Sequence, residues 1–111
     1  MLTSLQSLTF TGCGGLRSFP EDEEWLLPIS LKELKFYNFQ SLEFLPSICK
    51  LTSLKFLEIW LIPKVVSLPD EKLPPQLQSL IFCHCSFLEK TCQKGGRDWP
   101  KISHISKIRI Y

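Results

Sequence analysis

Near the C-terminal end, Cys83-His84-Cys85 is followed seven residues later by Cys92. Thiolates and imidazole are the ligand types that zinc prefers in tetrahedral sites. A Cys–His pair is also the starting material of an activated nucleophile. Both readings meet an obstacle in the surrounding pattern. Alternation along Leu80-Ile81-Phe82-Cys83 turns Cys83 away from Leu80 and Phe82, whereas Cys85 falls where other segments carry the apolar residues Cys13, Phe39 and Ile62. The two thiols should therefore not converge on a metal. A nucleophile would further need a base and an oxyanion site meeting in a pocket, and His104 lies beside Ile105 with no acidic orienter in view. Gly12, Gly14 and Gly15 suit a tight bend around Cys13. A phosphate cradle would require the Gly-x-x-x-x-Gly-Lys-Ser/Thr spacing, which does not occur. No catalytic residue, metal ligand, cofactor or nucleotide is expected on this chain.

The residues left for function are ones that bind without making bonds, above all the aromatic side chains Tyr37, Phe56 and Trp60. Their presentation depends on a repeat. Leu5-x-x-Leu8-x-Phe10 is followed by Cys13, Leu16 and Phe19-Pro20. Leu31-x-x-Leu34-x-Phe36 is followed by Phe39, Leu42 and Leu45-Pro46. Leu54-x-x-Leu57-x-Ile59 leads to Ile62, Val65 and Leu68-Pro69, and Leu77-x-x-Leu80-x-Phe82 to Cys85 and Leu88. Ile105-x-x-Ile108-x-Ile110 closes the series. Unit starts at 5, 31, 54, 77 and 105 are 26, 23, 23 and 28 residues apart, inside the range of about 20–29 residues for leucine-rich repeats. The expected fold is a leucine-rich-repeat solenoid, with a short parallel β-sheet on the concave side and irregular or 3₁₀ segments on the convex side. Helix content should be low. A single coil cannot bury its apolar face alone, and stacking joins the faces into one core. The recurring apolar-Pro step holds the return chain extended and disfavours a full helix.

About four repeats are expected over residues 1–92, and a capping segment with a final strand over 93–111. Leu2, Leu5 and Leu8 open the stack with no polar cap before them, which suits a piece of a longer array or a truncated product. Trp99 is placed to cover the last coil. Period-two alternation points fifteen residues outward: Ser7, Thr9 and Thr11; Glu33, Lys35 and Tyr37; Phe56, Glu58 and Trp60; Ser79, Ile81 and Cys83; Lys107, Arg109 and Tyr111. Tyr37 and Trp60 should be neighbours in one column, with Lys35 paired to Glu58 across adjacent strands. Clustered aromatics on a strand surface are typical anchors of protein-binding sites, although a neighbouring loop or a further domain could equally cover them. The candidate partner-binding residues are Tyr37, Phe56, Glu58, Trp60, Lys35, Glu33, Ile81, Arg109 and Tyr111.

Composition narrows the classes of partner. The chain has 111 residues, 44% hydrophobic and 22% charged, enough apolar content for a continuous core. The net charge of +2 is too small to imply nucleic acid, and no basic stripe interleaved with stacking aromatics occurs. Lys90, Lys94, Arg97 and Lys101 form the densest basic group and read as a solvated surface. No apolar run reaches the roughly 18–20 residues that span a bilayer. Met1-Leu2-Thr3-Ser4-Leu5 lacks the basic-then-apolar order of a secretory leader. Five cysteines, an odd count, and no glycosylation sequon at Asn38 favour a reducing, cytoplasmic setting. The run Glu21-Asp22-Glu23-Glu24 lengthens the first unit; it reads as a solvated loop or as a charge contact with a basic neighbouring domain.

Units of the form Leu-x-x-Leu-x-Phe/Ile-x-x-Cys-x-x-Leu-x-x-Leu-Pro resemble the repeats of plant nucleotide-binding leucine-rich-repeat disease-resistance proteins. More specific is the ending. It runs from Leu73-Pro74-Pro75-Gln76-Leu77-Gln78-Ser79-Leu80 through Cys85-Ser86-Phe87-Leu88-Glu89, Cys92 and Gly95-Gly96. It closes with Asp98-Trp99-Pro100-Lys101-Ile102-Ser103-His104-Ile105, and this whole stretch is similar to that family's C-terminal end. The likeness covers essentially the whole chain, though the first three units also suit other leucine-rich-repeat families. It implies the C-terminal end of a cytosolic immune receptor, with repeats that recognise pathogen effectors and restrain a nucleotide-binding switch. Its partners would be an effector protein or the receptor's own nucleotide-binding domain. A substrate adaptor of a ubiquitin ligase would present the same concave sheet, and an upstream phosphate loop or an F-box-like helical segment would separate the two. A remnant of a decayed gene is a further alternative.

Overall fold

A computed structural model describes residues 6–12, 30–45, 48, 51–68 and 73–111. Leu2, Leu5, Cys13, Gly14, Gly15, Leu16, Phe19, Pro20, the acidic run at 21–24, Pro46, Cys49 and Pro69 lie outside the described residues.

Each alternating segment forms a strand of four or five residues: β1 Ser7–Thr11, β2 Glu33–Tyr37, β3 Phe56–Trp60, β4 Ser79–Cys83 and β5 Lys107–Ile110. They make one sheet in the order β1-β2-β3-β4-β5, with every pair parallel. Equivalent residues are aligned. Leu8, Leu34, Leu57, Leu80 and Ile108 form one row, and Phe10, Phe36, Ile59, Phe82 and Ile110 another. Register is set by burial, because a slip of one residue would turn both rows onto the opposite face.

Behind the sheet, the core continues through residues at equivalent positions of successive units. Leu31, Leu54 and Leu77 precede the strands; Phe39, Ile62 and Cys85 follow them, then Leu42, Val65 and Leu88, all buried. Each fully buried side chain of this kind contributes about 1.5–3 kcal/mol of transfer free energy. The rows thin out at the outer strands. Leu8, Phe10 and Ile108 are only partly buried, and Ile110, expected to face inward, is 37% exposed. As part of an outermost strand, β5 has a sheet neighbour on one side only among the described residues, which leaves Ile110 covered from one side.

Segments 38–45 and 61–68 return as bends. In these two segments the expected 3₁₀ turns do not occur, whereas the stretch before β3 carries two successive i→i+3 hydrogen bonds, from the Leu51 amide to the Ile48 carbonyl and from the Leu54 amide to the Leu51 carbonyl, both at 3.0 Å. Phe39, Leu42 and Leu45, like Ile62, Val65 and Leu68, recur every third residue, and an irregular chain satisfies that spacing without i→i+3 hydrogen bonds. Pro63 has no N–H to give to such a bond. Helix among the described residues is confined to two short pieces, α1 Ser86–Thr91 and α2 Trp99–Ile102. Among the described residues no helix is long and apolar enough to cross a membrane.

The ladder of hydrogen bonds extends one residue past the strands. The amides of Gly12, Asn38, Leu61 and His84 donate to the carbonyls of Tyr37, Trp60, Cys83 and Tyr111 at 2.8, 3.0, 2.9 and 3.3 Å. To turn away after that bond, Asn38, Leu61 and His84 adopt φ of 58°, 55° and 55°. Asparagine tolerates this left-handed conformation, whereas for Leu61 it costs on the order of 1–2 kcal/mol. Gly12 occupies the same place in the first unit, where a Cβ would collide with the Asn38 carbonyl.

A latch that the residue pattern did not disclose ties the C-terminal segment to the third unit. Asp98 is fully buried. Its Oδ2 accepts the Leu68 amide at 3.1 Å and its Oδ1 takes Lys101 Nζ at 2.8 Å, while Lys101 Nζ also donates to the Leu68 carbonyl at 3.2 Å. The Asp98 amide donates to the Thr91 carbonyl at 2.8 Å. With both carboxylate oxygens occupied, the buried charge is compensated. Ile102 lies in the core and Trp99 packs against it. We expect Asp98→Ala to lower stability by about 3 kcal/mol or more, because it strands Lys101 and the Leu68 amide. Urea denaturation measures this, and a loss below about 0.5 kcal/mol, the size typical of an unremarkable surface change, would show that the latch is dispensable.

Candidate functional site

The face of the sheet opposite the core is built from three columns. One contains Ser7, Glu33, Phe56, Ser79 and Lys107; the middle one Thr9, Lys35, Glu58, Ile81 and Arg109; the third Thr11, Tyr37, Trp60 and Cys83, with Tyr111 following β5. Neighbours in each column are brought together because adjacent parallel strands lie about 4.8 Å apart.

Glu58 organises the centre. Its Oε2 lies 3.4 Å from Lys35 Nζ across β2 and β3, and its Oε1 accepts the Trp60 indole N–H at 2.9 Å. The first contact follows from register. The second, two residues along the same strand, was not anticipated; an acidic residue at i and Trp at i+2 on one face is the signal that could have disclosed it. Held at its indole nitrogen, Trp60 stacks on Tyr37 with ring centroids 5.7 Å apart and planes at 30°. Phe56, 40% exposed, lies on the same strand and face, and Glu33 beside it accepts the Ser7 hydroxyl at 3.2 Å. Ile81 is half-buried next to Glu58.

The arrangement can supply a rigid apolar and aromatic patch, with its central charges already neutralised. Lys35 and Glu58 retain 32% and 20% side-chain exposure, so their pair is worth about 0–1 kcal/mol by itself; its larger consequence is to fix the ring beside it. Towards β5 the face changes. Arg109 and Tyr111 are exposed, and among the described residues neither Lys107 nor Arg109 has an ion pair.

The described cysteines, Cys83, Cys85 and Cys92, behave as core residues. Cys83 belongs to the outward column, yet it is only 6% exposed, being set between Trp60, its register partner, and Tyr111, whose amide and carbonyl bond to Phe82 and His84 on either side of it. Cys85 is fully buried and its thiol donates to the carbonyls of Ile59 and Cys83 at 3.3 and 3.4 Å. Burial pushes the Cys85 thiol up, and pushes that of Cys92 up to about 12, so both are thiols near neutral pH and neither is poised as a nucleophile. His84 is exposed, while His104 bonds through Nε2 to the Pro74 carbonyl at 3.1 Å. Among the described residues no three His, Cys, Asp or Glu side chains are grouped to hold a metal ion.

Comparison with protein-family models, curated proteins and solved structures finds no match for this chain.

The stacked pair generates a quantitative expectation. A double-mutant cycle of Tyr37→Ala and Trp60→Ala, read by urea denaturation, should give a coupling of about 0.5–1.5 kcal/mol. Strict additivity would mean that the rings do not stabilise one another.

Proposed function

We propose that the chain is a leucine-rich-repeat solenoid that binds protein through its concave sheet, and that it forms the C-terminal end of a plant nucleotide-binding immune receptor. The observation that carries the binding role is the Tyr37–Trp60 stack held by Glu58, with Phe56 exposed beside it. Aromatic side chains ordered before contact lose little entropy on binding, which is why such clusters dominate interface energetics. The repeat reading is supported by in-register strands recurring with the apolar positions of each unit. The receptor reading rests on the residues of the C-terminal segment, and the Asp98–Lys101 latch gives two of them a physical task.

In this proposal the nucleotide-binding domain of the same receptor, or a pathogen effector, lies across Tyr37, Phe56 and Trp60. Lys35, Glu33 and Glu58 border those anchors, and Ile81, Arg109 and Tyr111 extend the contact towards β5. The chain itself contributes recognition and restraint, with nucleotide chemistry residing on a separate domain.

The test measures binding of this chain to a nucleotide-binding domain from the plant receptor family. Tyr37→Ala combined with Trp60→Ala should weaken affinity by at least about tenfold, the effect of losing roughly 1.4 kcal/mol at a hot spot, while circular dichroism stays native. Phe44→Ala, on the return side and 67% exposed, should leave affinity unchanged. No measurable binding, or equal losses from the two sets of substitutions, would refute the assignment.

A further inference from the structure

We infer that the outer edge of β5 is a docking site for an extended acidic segment of a partner protein, which adds to the sheet as a sixth strand. The inference goes beyond the concave-face reading, since it requires the backbone groups of the edge and shares only Arg109 with that reading.

Hydrogen bonding on the inner side of β5 defines what the outer side offers. The Lys107 amide donates to the Gln78 carbonyl at 3.1 Å, the Tyr111 amide to the Phe82 carbonyl at 2.8 Å, and the Tyr111 carbonyl accepts the His84 amide at 3.3 Å. In a parallel ladder, alternate residues direct both N–H and C=O to the same side. Residues 107, 109 and 111 therefore face β4, and the N–H and C=O groups of Ile108 and Ile110 face outward. Among the described residues no strand pairs with them. A row of free backbone groups flanked by partly exposed isoleucines is a template for strand addition.

Charge decides the kind of strand. Lys107 and Arg109 alternate with the isoleucines and project from the opposite face, without an ion pair among the described residues. The surrounding chain has the same sign. From Lys90 onward there are six cations, Lys90, Lys94, Arg97, Lys101, Lys107 and Arg109, against one carboxylate side chain, Asp98, which is buried and already occupied. A second copy of β5 paired about a two-fold axis would bring the Lys107 and Arg109 cations of the two copies onto one face of the joined sheet, which like-charge repulsion disfavours. A strand alternating carboxylates with apolar residues satisfies the cations, the isoleucines and the backbone groups together.

The probe is a capped decapeptide of alternating glutamate and valine, compared with its lysine–valine counterpart on the full chain at low salt. The acidic peptide should bind, slow amide exchange at Ile108 and Ile110, and lose at least about tenfold in affinity on combining Lys107→Glu with Arg109→Glu. Ile110→Pro removes an outward N–H without breaking the ladder to β4, and should weaken binding as well. Should that variant fail to fold, exchange at the two isoleucine amides of the unmodified chain decides the matter. Equal binding of both peptides, unchanged exchange at Ile108 and Ile110, or displacement by a single-stranded oligonucleotide at equal charge would overturn the inference. So would protection of these amides by self-association in the absence of peptide.

Discussion

Parallel strands in strict register form the constraint on which the rest of the molecule depends. Because Leu34, Leu57 and Leu80 are aligned, as are Phe36, Ile59 and Phe82, each unit offers its neighbour an apolar wall of matching height. None of the units could bury that wall alone. The same alignment is what places Tyr37 beside Trp60 and Lys35 beside Glu58 on the other face. Core and surface are therefore two faces of one pairing pattern, and a change of register would abolish both together.

Within that frame, Glu58 links electrostatics to presentation. One carboxylate oxygen meets Lys35 and the other accepts the Trp60 indole N–H, so the residue that pairs across the strands also holds the largest ring on the face. The left-handed Leu61 follows directly after Trp60, 40% exposed and in a conformation that leucine disfavours. Its amide continues the ladder to Cys83. The turn that ends β3 is thus held by a backbone hydrogen bond against the preference of its own side chain.

The repeat period makes the sheet legible in the sequence. Residues such as Leu57 and Ile59 announce inward positions by their spacing, and their alternation assigns Phe56, Glu58 and Trp60 to the opposite face. Features that depend on distant parts of the chain were not legible. Asp98 bonds to Leu68, thirty residues earlier, and no local pattern signals a carboxylate that will be buried. Burial of Cys83 depends on bulky residues from neighbouring strands rather than on its own alternation. Ile110 has the inward spacing but lies on an outermost strand, where period alone cannot supply a covering neighbour. The return segments show the same limit, since a spacing of three is compatible with a 3₁₀ turn and with the bends observed.

The central claim is that adjacent residues of β3 face opposite environments. It is tested most directly by comparing the thermal unfolding of Leu57→Asp and Phe56→Asp. Leu57 is 2% exposed and Phe56 is 40% exposed. A carboxylate at position 57 would be buried without a partner, and the account predicts loss of the cooperative transition. The same side chain at position 56 would remain in water and melt close to the unmodified protein. Native-like melting of Leu57→Asp, or equal damage from both, would contradict the assignment of faces.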